Sequence, residues 1–424
     1  MMTILTILEL VLSILLFFCA ASLAFPRISL RGLLGHLPKS AIVRFSSAAF
    51  VALAAVLMLA ASAIPFLAFF AASLSLAALA LLHLVARFAT ARLGLPIALA
   101  LAAGSLAVAG LQPLGLKVLL LPKAAALPIQ RAPSRTVKVY EAGVWFEGIA
   151  AGADGTLFLS ANRGLDFSDL KYYRRASGEV IARSPDGSER SIFRTPVGAT
   201  AGVIAVGPDG ALFLTSNGDE PGIWRIGANG DARKITRLPK GAWPNGLDFG
   251  PDGMLYTPDS NLARVWRINP KTGAAAIALQ DRRLAARPFI SLAPGANGLH
   301  FSGQDMIVTV SDSTEVIRYR LAKDGTFGPA VVIARGIPGD DFAVGHDGSL
   351  FITTHPYNTL VRVTPGGERT IIADAEQNIV GATDAVFGRG AGDRETLYVV
   401  TDGGAFTGGP STRGALVAVQ PYAH

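Results

Sequence analysis

The chain has one cysteine in 424 residues, Cys19, which excludes an intrachain disulfide and any cysteine-based metal site. Acidic residues are almost missing from its first 121 positions, where Glu9 stands alone against seven Lys and Arg. The rest of the chain holds the other 31 bases and 30 acids and is close to neutral. The pI of about 9.6 therefore reflects bases that flank apolar segments, and nucleic acid is not expected as a partner. Charge of either sign is absent from residues 45–86. Neither a Gly-x-Ser-x-Gly elbow nor a spaced Ser-His-Asp set occurs, which argues against a serine hydrolase.

What is present at the start is apolar sequence. The charge-free run of 42 residues would extend about 63 Å as helix, or two crossings of a roughly 30 Å hydrocarbon core, with Pro65 near its middle for the turn. Residues 3–25, apolar but for Glu9, and residues 93–116 each add a crossing. A signal peptide competes for the first run, since Ala21-Ser-Leu-Ala24 resembles a cleavage site, but no basic residue precedes its core. Phe18 before Cys19 disfavours lipid attachment. The sequence thus predicts an α-helical transmembrane domain of about four helices at 1–121 and a linker at 122–136, rich in Ala, Pro and bases. Arg27, Arg31, Lys39 and Arg44 form one loop cluster and Arg87 with Arg92 another. Both fall on one side, which the positive-inside rule makes cytoplasmic. The expectation is a multi-pass protein of the cell (inner) membrane, with the lipid bilayer as a partner and the carboxy-terminal domain on the extracytoplasmic (periplasmic) side.

From residue 137 to 424 one phrase recurs: a short apolar strand, a Gly-x-Asp-Gly turn, and a second strand opening with Leu-aromatic. Its fullest copy is Asn245-Gly-Leu-Asp-Phe-Gly-Pro-Asp-Gly-Met-Leu-Tyr256. The copies begin at Glu147, Gly202, Asn245, Asn297, Asp340 and Thr383, spaced 55, 43, 52, 43 and 43 residues apart. Third strands follow most copies, as in Arg264-Val-Trp-Arg-Ile268 and Thr359-Leu-Val-Arg-Val363. Four short strands at such a period mark a propeller blade, so the fold expected is an all-β six-bladed β-propeller. Because strands alternate in direction, the six opening residues should ring one mouth of the central channel. The turns after the second strands, including Asp259 and His355-Pro-Tyr-Asn358, should lie at the same end. The Asp-Gly turns, Asp252 and Asp347 among them, fall at the other end and read as structural.

Glu147, Asn245, Asn297 and Asp340 would then converge on the axis with oxygen donors only. Such a set suits a hard cation with a large, flexible shell, Ca²⁺ before Mg²⁺ or Mn²⁺, and disfavours a structural Zn²⁺ site. Singly, each of these residues also suits a turn.

These residues and their context, Phe146-Glu-Gly148, Pro244-Asn-Gly-Leu247, Ala296-Asn-Gly-Leu299 and Gly339-Asp-Asp-Phe-Ala343, resemble the senescence-marker-protein/gluconolactonase family of luciferin-regenerating-enzyme-like propellers. More distantly they resemble the paraoxonases and strictosidine-synthase-like proteins. The resemblance covers about residues 137–420 and implies one divalent ion, commonly Ca²⁺ (with Mg²⁺, Mn²⁺ or Zn²⁺ as alternatives), at the channel mouth. It further implies hydrolysis of a small-molecule lactone or ester. Carried over, Glu147, Asn297 and Asp340 match metal ligands, and Asn245 matches a metal or substrate position. Asn358 and Asp259, in the neighbouring turns, are candidate substrate contacts. The base that activates water would be Asp341 or His355, whose ordinary pKa of about 6.5 suits the task. His300, out of phase with Asn297, should pack between blades. Gly202 stands where paraoxonases place a histidine, so that dyad does not transfer. A membrane-tethered, non-catalytic binding or sensor module with a structural ion is the competing expectation.

Overall fold

A computed structural model describes residues 121–166, 172–227, 229–287 and 293–423. The predicted transmembrane helices at 1–121 lie outside the described residues, apart from Leu121. Among the described residues no helix is long and apolar enough to cross a membrane.

Six four-stranded antiparallel sheets are present, as the six copies of the phrase predict. Blades 1 to 5 occupy residues 145–194, 204–237, 248–280, 296–335 and 342–373, each a simple meander with its first strand innermost. Blade 6 is composite. Its three inner strands run through residues 382–419, and its outer strand is Ser134–Val139 from the other end of the domain, paired with Ala415–Val419. This pairing closes the ring and starts the propeller three residues earlier than expected. The segment read as a linker is also bound in part. Gln130 N and Ala132 N donate to the Ile371 and Ile372 carbonyls on the edge of blade 5 (2.9 and 2.8 Å), and Ile371 N donates to Pro128 O.

The Gly-x-Asp-Gly turn repeats because its geometry needs both residues. In four blades the Asp carboxylate accepts the backbone N–H two residues on: Thr156 from Asp154, Ala211 from Asp209, Met254 from Asp252 and Ser349 from Asp347, at 3.0–3.2 Å. The glycine that follows sits at positive φ, 84° at Gly155 and 78° at Gly348, where a Cβ is penalised. Second strands such as Leu212–Ser216 and Leu350–Thr354 are buried along their whole length, since each blade is covered on both faces by its neighbours. The core is accordingly shared between blades. Phe146 and Leu159 of blade 1 pack with Val400 and Leu416 of blade 6, and Tyr256 of blade 3 packs with Leu299 and Val308 of blade 4. Truncating one such side chain to Ala should cost about 2–5 kcal/mol.

The glycine of Asn-Gly has a different task from a turn glycine. Gly246 and Gly298 are at ordinary φ, but a Cβ on Gly246 would lie 2.4 Å from Leu299 N and one on Gly298 2.4 Å from Asp341 Oδ1. Their bareness lets inner strands approach, and the approach is bonded. Gly246 N donates to Asn297 O (2.9 Å), Gly298 N to Asp340 O (2.8 Å) and Asp341 N to Thr383 O (3.2 Å). A hydrogen-bonded belt thus fixes the opening residues of adjacent blades relative to one another.

Candidate active site

All six opening residues line a single cavity of about 540 Å³. Three of them sit where the inner ladder is broken: the register shifts across Phe146/Gly148, Ala296/Leu299 and Ala382/Asp384. A bulge at these points re-aims Glu147, Asn297 and Thr383 out of the pleat. A second ring lies beside the first. Counting five residues from the start of each Leu-aromatic strand, or from Met306 in blade 4, gives Asn162, Asn217, Ser260, Ser311, His355 and Asp402, and each lines the same cavity.

The two rings are wired together in the same way in two successive blades. Asn297 Nδ2 donates to Ser311 Oγ (2.9 Å), and Ser311 Oγ donates to Gly339 O (2.6 Å). Asn245 Nδ2 reaches Ser260 Oγ (3.5 Å), and Ser260 Oγ donates to Ala296 O (2.7 Å). Each serine holds the amide nitrogen and leaves the carboxamide oxygen over. Asn297 Oδ1 is buried and has no hydrogen-bond partner among the described residues, which is costly unless a ligand completes it.

Glu147 and Asp340 supply the charge. Both border the cavity and are otherwise enclosed by protein. No Lys or Arg lines the cavity among the described residues. Burial raises the Glu147 carboxyl to about 7, with His355 opposing the rise and Asp402 and Asp341 adding to it. Asp340 is pushed well above the usual carboxylate range, first by burial and then by Glu147. Two desolvated carboxylates and two carboxamide oxygens, with no Lys or Arg beside them among the described residues, fit a bound divalent cation, which would relieve the repulsion and fill the orphaned oxygen.

His355, from the second ring, holds Asp402 through Nε2 at 2.9 Å. The other Asp402 oxygen accepts Gly404 N (2.7 Å) and Ala405 N (3.1 Å) at the start of the short helix Ala405–Gly408, so the carboxylate is anchored. Burial would depress the imidazole, but Asp402 outweighs it, with help from Asp340 and Glu147, and holds His355 at about 9. Asp402 is a site residue that sequence reasoning missed. The five-residue count that links Leu350 to His355 also links Leu397 to Asp402 and was the available signal.

Three expected site residues lie elsewhere. Asp259 is fully buried and committed: Oδ1 accepts Trp243 N, Asn261 N and Leu262 N, and Oδ2 accepts Trp266 Nε1. It fixes its turn and offers nothing to a substrate. Asn358 Oδ1 accepts Gly381 N at 2.7 Å, and its φ of 61° marks a turn residue outside the cavity lining. Asp341 follows Asp340 but points away from the cavity. It is 2% exposed, its Oδ1 accepts Phe342 N (2.9 Å), and it lies 3.2 Å from His300 Nε2. It is therefore not placed to activate water there. His300 packs between blades as expected, edge-on to Phe342 at 5.0 Å.

No protein-family model and no curated protein sequence matches the chain. Solved structures do match. A structural-genomics protein assigned as a gluconolactonase superposes with a TM-score of 0.50 at 20% identity, over 71% of this chain and 99% of its own. The chain has the fold of the gluconolactonase propellers. A gluconolactonase from Xanthomonas campestris aligns at 20% identity over 70% of this chain and 98% of its own, with a TM-score of 0.48. A calcium-binding regucalcin from Agrobacterium tumefaciens aligns at 16% identity over 70% and 97%, also with a TM-score of 0.48. The likeness to the gluconolactonase-type proteins is one of fold, and the chemistry rests on the residues of the two rings.

Proposed function

We propose that the chain is a hydrolase of lactones or related esters, working with a divalent cation, Ca²⁺ by preference, held by Glu147, Asn245, Asn297 and Asp340. The observation that carries this reading is the convergence, in one cavity without Lys or Arg among the described residues, of four oxygen donors and a histidine anchored by a carboxylate. The mixed charge of the donors favours Ca²⁺ over the smaller Mg²⁺, and the lack of sulfur and imidazole among them disfavours Zn²⁺. When bound, the cation supplies Lewis-acid polarisation of the carbonyl, worth several kcal/mol.

The remaining work falls to the chain's own residues. Asp402 accepts the Nε2–H of His355, which leaves the lone pair on Nδ1 and fixes the ring. His355 takes a proton from the attacking water and returns it to the leaving alkoxide, while Asp402 balances the imidazolium. With the charges of Glu147 and Asp340 offset, two of the groups that raise His355 lose their pull, and its pKa falls toward the working range. Asn217 Oδ1, buried on the cavity wall and without a partner among the described residues, is placed to accept from water or substrate.

The test is turnover of lactones and aryl esters with and without chelator, on the wild type and on Asp340→Ala. Chelator and substitution should each abolish it. Retention of Ca²⁺ with no turnover of any lactone or ester would replace this reading with a binding module. We also propose that the apolar first third anchors the protein in the membrane with the propeller outside the cytoplasm. A reporter fused after Pro122 that works only in the cytoplasm would overturn that arrangement.

A further inference from the structure

The cavity carries two kinds of surface. Around the axial oxygens it is apolar and largely aromatic: Leu121, Trp145, Tyr172, Trp243, Tyr357 and Phe406 line it, and no Lys or Arg does so among the described residues. The Trp243 and Tyr172 rings pack at 5.7 Å between centroids. The Tyr357 hydroxyl donates to the Pro122 carbonyl, which ties down the chain at Leu121.

Between this wall and the axis, Asn162 and the hydroxyls of Ser260, Ser311 and Thr383 are committed to the protein itself, while Asn217 Oδ1 and Asn297 Oδ1 are the acceptors without a partner among the described residues. Asn162 spends both ends of its amide on Ala201, donating to its carbonyl and accepting from its N–H at 2.8 Å each. The Ser260, Ser311 and Thr383 hydroxyls donate to the carbonyls of Ala296, Gly339 and Phe146. A ligand with four or five hydroxyls would leave most of them unpaired, at about tenfold in affinity or more for each. A carboxylated or phosphorylated ligand would find no ammonium or guanidinium on the cavity wall to pair with among the described residues.

Resting on the hydrolase reading above, we infer that the substrate is a neutral lactone or ester with an alkyl or aryl tail, the tail seated against Trp243 and Tyr172 and the carbonyl at the axis. Polyhydroxylated sugar lactones and anionic esters fit poorly.

The test separates the tail site from the chemistry. Binding of unreactive 2-alkylcyclopentanones, methyl to hexyl, is measured by calorimetry in the presence of Ca²⁺. Turnover of γ-alkyl butyrolactones is compared with that of gluconolactone. Affinity should rise about fourfold per methylene until the wall is covered. Trp243→Ala should lose most of that gradient while binding the methyl compound within about threefold of wild type. The wild-type series alone decides the matter should the variant misfold. A flat series, or a higher kcat/KM for gluconolactone than for every alkyl lactone, overturns the tail site and leaves the hydrolase reading standing. A steep series with no turnover of any lactone supports the tail site and overturns the hydrolase.

Discussion

Replacing Glu147 by Gln should stabilise the protein in chelator and remove its response to Ca²⁺. The substitution is nearly isosteric, so what it changes is charge. Burial lifts the Glu147 carboxyl from its ordinary 4.5 to about 7, so the folded protein favours the protonated form. Ionised Glu147 therefore costs stability. The cost is absent below about pH 4.5, grows through the interval and is complete above about pH 7. In full it corresponds to about 3 kcal/mol. Glutamine imitates the protonated acid, so the variant escapes this cost at pH 8. Water in the cavity and the nearby imidazolium reduce the figure, and a gain of about 1–3 kcal/mol is expected.

Thermal unfolding in chelator reads the effect directly. A gain of that size should raise Tm by roughly 2–6 °C at pH 8, and the difference should shrink toward pH 5. In Ca²⁺ at one hundred times Kd the wild type should gain about 2.7 kcal/mol and the variant little. A variant less stable than wild type at pH 8 in chelator would refute the reasoning, because Glu147 would then be a satisfied structural group. An equal response of both proteins to Ca²⁺ would refute it as well.

Asp402→Asn removes the charge that holds His355 at about 9. It should lower kcat by about 10–100-fold and shift the rising limb of the pH–rate profile downward, with Ca²⁺ affinity within about threefold of wild type. In the wild type that limb marks loss of the His355 proton, so activity should rise with pH toward about 9 at limiting Ca²⁺ and at lower pH when Ca²⁺ is saturating. Asn297→Ala should weaken Ca²⁺ binding by about tenfold or more in calorimetry, and Asn297→Asp should restore much of it. Gly246→Ala places a Cβ 2.4 Å from backbone Leu299 N and should lower stability by about 2 kcal/mol or more in urea.

The fold was legible because four of the six blades repeat a turn with strict local demands. Asp252 must accept from Met254 N, and Gly253 must adopt φ of 73°, so the phrase returns nearly unaltered. The inner ring was legible for the same reason: its members stand at a fixed offset from that turn. What failed did so by one residue. Asp259 and Ser260 are consecutive, and alternation sends one into the turn's own hydrogen bonds and the other to the cavity. Asp340 and Asp341 divide likewise between the axis and the channel wall. His355 and Asp402 meet across a blade boundary, 47 residues apart, and local sequence around Asp402 reads only as a Gly-rich turn.

The channel wall also shows why the mouth is better read as a ligand site than as a tolerated defect. Next to the opening residues, the buried Asp341 and Asp384 lie with the half-buried His300, their ligand atoms within 4.8 Å of one another. Here the protein provides its own compensation. His300 is raised well above its ordinary range, since Asp248 and Asp341 outweigh the burial that would depress it. Asp384 is raised by burial first and then by Asp341, and its oxygens accept Ile149 N and Ala385 N at 2.9 and 2.7 Å. Glu147 and Asp340 have only His355 acting on them from a distance, and burial still raises both. They share their cavity with an oxygen of Asn297 that lacks a partner among the described residues and with a histidine already engaged by Asp402. The contrast between a set of buried carboxylates paired with a histidine inside the wall and an adjacent set that borders an open cavity supports the proposal that the second set takes a charge from outside the chain.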